Sequence, residues 1–99
     1  MKNNNIELIK TIFDELIAIF TSAGEINWLN VMYKFRQRIE TSDINEIRCL
    51  LSEILTIYGG MGSFNDLVLY KDDKLLQQDT IRLDSLRQKL FDAIMHELH

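Results

Sequence analysis

The chain has 99 residues, 46% of them hydrophobic and 26% charged, with 15 acidic and 11 basic side chains and a formal net charge of −4. That composition predicts one globular domain spanning residues 1–99 and excludes a chain disordered throughout. The acidic balance argues against a nucleic-acid binder, whose affinity comes largely from neutralising phosphates, and suits a basic protein partner.

Cys49 is the only cysteine, so no internal disulfide is expected and a reducing cytoplasm is the simplest setting. Met1-Lys2-Asn3-Asn4-Asn5 leads into a charged amphipathic segment and not into the apolar core of a signal peptide. No stretch reaches the roughly 20 apolar residues of a membrane span, so no membrane association is expected.

Proline is absent and the four glycines stand at 24, 59, 60 and 62. Helix breakers are thus gathered at two joints, the punctuation of a helix bundle. A first helix is predicted from Asn5 to Ala23, capped by Asn4 with Glu7 in capping-box spacing and closed by Gly24. At about 100° per residue, Ile6, Ile9, Phe13, Leu16, Ile17 and Phe20 form its apolar face, which Leu8, Ile12 and Ile19 widen. So broad an arc implies more than one packing neighbour. A second helix, Asn27 to Glu40, aligns Trp28, Met32, Phe35 and Ile39, and points Lys34, Arg36 and Arg38 away. Asp43 and Glu46 repeat the capping-box spacing before a third helix to Tyr58, with Ile44, Ile47, Leu50, Leu51, Ile54, Leu55 and Tyr58 on its buried side. The last helix, capped by Asp79 and ending at Leu98, carries Leu83, Leu86, Leu90, Phe91, Ile94 and Leu98 on one side. The expected fold is all-α: a four-helix, mainly antiparallel bundle. Phe13, Leu16, Trp28, Phe35, Leu51, Ile54, Leu90 and Ile94 are expected in its core.

Between helices three and four, Gly59, Gly60 and Gly62 form a glycine-rich joint. Ser63 precedes Asp66 in capping spacing, so a short turn is expected there, followed by extended or irregular chain at Leu67–Tyr70. Arg87 falls within the apolar arc of helix four, where a guanidinium must either meet a carboxylate or carry its charge outward along its stem. Asp66, in a turn that folds back over that helix, is the expected partner, with Ser63 capping the turn and Asn65 bonding local backbone.

Glycines at a joint allow backbone amides to approach a phosphate, but the Lys-Ser/Thr of a phosphate loop is missing and a helix precedes the glycines where a strand should. A nucleotide-binding module or small enzyme using Gly59–Asp66 is one alternative. A helix-turn-helix regulator using Lys34, Arg36 and Arg38 is another, although its basic residues lie on helix two. His96 and His99 are three residues apart, not the four of a metalloprotease helix, so no metal is expected. Cys49 lies opposite the apolar stripe of helix three, with no His or Lys one turn away to activate it. No catalytic residues and no cofactor are assigned. Two acidic stripes, led by Asp14 on helix one and by Glu46 and Glu53 on helix three, are the expected surface for a basic partner.

The segment Tyr58-Gly59-Gly60-Met61-Gly62-Ser63-Phe64-Asn65-Asp66-Leu67-Val68-Leu69 resembles a family of small bacterial proteins of unknown function. Its members share a helical region, a Gly-Gly-Met-Gly-Ser-x-Asn-Asp-Leu core and a C-terminal helix. The likeness is clear over this segment, while the flanking helices match in size and pattern alone. Small proteins of this kind are similar to cognate immunity proteins of bacterial competition systems, including contact-dependent growth inhibition. The resemblance implies a non-catalytic cytoplasmic protein that blocks a toxin domain, often a nuclease. It requires no homo-oligomer.

Overall fold

The structure, a computed structural model, describes residues 4–59 and 63–99. The expectations placed on Gly60 and Gly62, and on the N-terminal Met1–Asn3, lie outside these residues. Four α-helices pack against one another: α1 (Asn4–Ala23), α2 (Ile26–Thr41), α3 (Ile44–Leu55) and α4 (Gln77–Leu98). Thr56–Tyr58 and Phe64–Asp66 form single 3₁₀ turns, and β1 (Tyr70–Lys71) pairs antiparallel with β2 (Lys74–Leu75) in a miniature hairpin. The protein is all-α in class. Among the described residues, no helix is long and apolar enough to cross a membrane.

Contacts between helix ends give the directions. The Asn5 side chain at the start of α1 donates to Ala93 O at 2.8 Å near the end of α4. Arg36 and Glu40 of α2 meet Asp14 and Lys10 of α1 in reversed order. Arg48, in the first half of α3, donates to Glu97 O and Leu98 O. Successive helices therefore run up, down, up and down, and the broad apolar arc of α1 is shared between α2 and α4.

Gly24 ends α1 as expected, and for a conformational reason. Its φ of +73° is left-handed, its N–H donates to Thr21 O, and Glu25 N–H donates to Phe20 O. This is the Schellman arrangement, which satisfies the last carbonyls of the helix. Asp43 caps α3 by accepting from the amides of Asn45 and Glu46, both at 2.9 Å.

Two other expected caps are corrected. Asn4 is already helical, and α4 begins at Gln77, so Asp79 lies within its first turn. The hairpin is the reason for the second shift. It ends with Leu76 N–H donating to Leu69 O at 2.8 Å, which delivers the chain to the helix early. Asp79 still complements the helix dipole from that turn.

The expected core is buried, with Trp28 half-buried against it. Ile44 departs from expectation at 76% exposure, as does Leu8, which lies at the surface. Ile44 is the first residue of α3, and a helix end reaches past the core that its middle covers. Phe64 and Leu69, both in the segment between α3 and α4, are fully buried.

Candidate functional site

Phe64 organises the joint. Its ring lies 5.3 Å from those of Trp28 and Tyr58 and 6.3 Å from that of Phe20, so elements from α1, α2 and the end of α3 converge on it. Such an aromatic cluster buries a large apolar area and adds favourable edge-to-face contacts. The 3₁₀ turn that carries Phe64 is closed by Asp66 N–H donating to Ser63 O at 3.0 Å.

Arg87 closes the same joint from α4. It is 6% exposed, and Nη1 donates to Phe64 O at 2.5 Å and to Leu67 O at 3.0 Å. Nη2 pairs with the Asp84 carboxylate, one turn back on its own helix. The guanidinium also lies 5.9 Å from the Phe64 ring. Burial pushes the Arg87 pKa down, and electrostatic interaction with Tyr58 and Asp66 opposes that shift. A planar fork of donors explains why an arginine stands in an apolar stripe: it satisfies the Leu67 carbonyl and gives Phe64 O, which otherwise accepts only a long 3.4 Å bond from Leu67 N–H, a second and shorter one.

The expected Asp66–Arg87 ion pair is not formed. Asp66 is exposed, beyond ion-pair distance, and acts on Arg87 through space alone. The carboxylate that pairs with Arg87 is nearer in sequence, at the i−3 position of the same helix. Ser63 occupies the cap position of the turn without capping it, and its hydroxyl instead donates to Tyr58 O at 3.4 Å. Asn65 is exposed and its side chain makes no hydrogen bond among the described residues, so its expected bond to local backbone is also corrected. Gly59 is extended, with φ −96°, and a Cβ there would meet nothing within 4 Å.

Beside the joint lies a cleft of about 500 Å³ lined by Tyr58, Asn65, Asp84, Arg87, Gln88 and Phe91. The Tyr58 hydroxyl donates to Arg87 O at 2.8 Å, fixing the ring as one wall. Burial raises the pKa of that phenol well above its ordinary range. The Phe91 ring packs on Tyr58 at 5.5 Å and leans outward, 37% exposed, from the apolar side expected of α4. The sequence reading missed the roles of Phe64, Asp84, Gln88 and Phe91. Asp84 had a usable signal, its i,i+3 spacing to Arg87, whereas a lone aromatic in a short loop has no periodicity to reveal it.

The three carboxylates expected to lead an acidic surface have different surroundings. Asp14 accepts from Arg36 Nε at 2.9 Å, and Glu53 pairs with Arg38 at 2.6 Å. Glu46 is exposed without an ion pair among the described residues, beside Cys49 and Glu53 in a shallow groove. Arg36 also holds Glu40 at 2.9 Å, so two of the basic residues considered for DNA are tied to carboxylates of the bundle.

An up-down-up-down helical bundle with a loop anchored in its core defines the class of molecule. The chain belongs to the family described as a domain of unknown function (DUF6966), whose match covers residues 21–77. That span takes in α2, α3, the joint and the hairpin, and stops at the first residue of α4. No curated protein and no solved structure matches the chain.

Proposed function

We propose that the protein is an immunity protein that binds and neutralises a cognate bacterial toxin domain, a basic one such as a nuclease, in the cytoplasm and without chemistry of its own. One observation carries the reading beyond the motif resemblance. The joint is fastened at its base by Phe64 and Arg87 while Asn65, Asp66 and Val68 stand at the surface. A loop whose anchor is rigid and whose polar tip is free is the usual construction of a recognition element.

Net charge supports the choice of partner, since an acidic protein is steered toward a basic one and the steering weakens with salt. The flank of α1 and α3 contributes through Glu46, whereas Asp14 and Glu53 already face arginines of α2. The joint therefore takes precedence over the flank as the contact surface.

The test is co-expression with a toxin domain encoded by the adjacent reading frame, followed by size-exclusion chromatography of the mixture. Protection of the cells and a co-eluting complex are expected. Equal killing with and without this protein, with no complex, would overturn the proposal. Paired reversals Glu46→Lys and Glu53→Lys should leave most of the protection in place, and a complete loss would return the contact surface to the flank.

A further inference from the structure

Resting on the reading of a basic protein partner, we infer that the cleft between Tyr58 and α4 receives a cationic side chain of that partner, a lysine or arginine. The walls have the chemistry of a cation site. Phe91 presents a partly exposed ring at the rim, backed edge-to-face by Tyr58, and aromatic faces attract ammonium and guanidinium groups within about 6 Å.

Carboxylates border the rings. The Asp84 side chain is 61% exposed, and its Oδ1 alone is engaged by Arg87. Asp92 lies two turns further along the same helix stripe, where it accepts from Gln88 Nε2 at 3.0 Å. Asn65 lines the cleft from the joint, and its neighbour Asp66 is exposed. Among the described residues of the lining the one cation is Arg87, which is buried, with donors committed to Phe64 O, Leu67 O and Asp84. At about 100° per residue, Arg82 and Lys89 lie on the far side of α4 from Asp84 and Phe91. What the cleft offers outward is therefore carboxylate, amide and aromatic ring.

Two measurements decide it. In the first, the full chain is titrated with N-acetyl-arginine amide and N-acetyl-lysine amide, with N-acetyl-norleucine amide as the neutral control, and followed by amide NMR. Shifts centred on Asn65, Gln88 and Phe91 with the two cations, and their absence with norleucine, are expected. Equal shifts with the neutral probe, or shifts centred elsewhere, would overturn the inference.

In the second, the complex with the toxin domain is titrated using Phe91→Leu, Gln88→Lys and Gln88→Glu, exposed or rim positions whose variants are first shown to keep the helical signal and melting temperature. Phe91→Leu and Gln88→Lys should weaken binding by about tenfold or more, the scale of one lost charge-assisted contact, and Gln88→Glu should strengthen it. A tight complex indifferent to all three would sink the cleft and leave the neutralisation reading standing. No complex with the unaltered chain would sink the neutralisation reading itself and, with it, the partner assigned to the cleft.

Discussion

Arg87 shows how one side chain can set the shape of a loop twenty residues away. Its fork supplies the partner that the Leu67 carbonyl lacks and reinforces the Phe64 carbonyl, and the Phe64 ring below it is packed on three sides by aromatics. Arg87→Ala strands the Leu67 carbonyl and leaves Phe64 O with its one long backbone bond, and should cost about 1–3 kcal/mol in urea unfolding, the range for a buried acceptor left unsatisfied. Arg87→Lys keeps the charge but offers no planar fork, and should recover only part of that loss. A cost under about 1 kcal/mol for the alanine variant would mean that water takes over the carbonyls. Phe64, the other half of the anchor, was not legible in advance because it sits among glycines and polar residues that draw attention to the backbone. Arg87 was legible as an anomaly, since a charge in an apolar stripe demands a partner, but the partner was a choice between neighbours that spacing alone does not rank.

At the scale of elements, the two glycine joints that the sequence marks alike differ in physics. Gly24 holds a positive φ inside a Schellman turn, whereas Gly59 has an extended backbone and open space around its Cα. Gly24→Ala should therefore lose about 1 kcal/mol. Gly59→Ala should be neutral or gain up to about 1 kcal/mol by restricting the unfolded chain. Thermal unfolding of the two variants separates them, and equal losses would contradict the conformational assignment. The hairpin was the element least visible in the sequence. Asp72 and Asp73 adopt left-handed φ, +53° and +64°, in the tight turn between β1 and β2. Aspartate tolerates that region, but the usual signal for such a turn includes glycine. Four strand residues are also too few for any alternation to register. The helices, by contrast, were legible because their stripes repeat over three or more turns, although α3 gives way to a 3₁₀ turn at Thr56, short of the expected Tyr58.

Across the whole molecule, charge is arranged as a lattice between helices as well as a surface. Lys10, Glu40, Arg36 and Asp14 link α1 to α2 along their antiparallel seam, with Lys10–Glu40 at 3.2 Å. Hydrogen bonds from Arg36 and then Lys10 hold the Glu40 carboxyl below its ordinary pKa. A carboxyl group with a lowered folded-state pKa stabilises the fold above its unfolded pKa, and this contribution is lost as pH falls through the folded value. The melting temperature of the protein should thus exceed that of a Glu40→Gln variant at pH 6–7. The gap should close as the pH drops below about 4, and it should narrow in high salt because the seam is open to solvent. A gap unchanged down to pH 3 would show that this seam contributes nothing electrostatic. The same lattice explains why the acidic stripes looked simpler in the sequence than they are. Net charge can be summed from composition, but which carboxylates are already answered depends on the register of α2 against α1 and α3.

The reach of Arg87 back to Phe64 and Leu67, across 23 and 20 positions, also has a consequence for the order of events as the chain folds. The first three helices can associate through neighbours in sequence, but among the described residues the Leu67 carbonyl has no partner until α4 docks. The cleft, lined by Tyr58 and Asn65 on one side and by Asp84, Arg87, Gln88 and Phe91 of α4 on the other, exists only once α4 has docked. A partner that recognises it would distinguish a chain in which α4 is seated from one in which it is not.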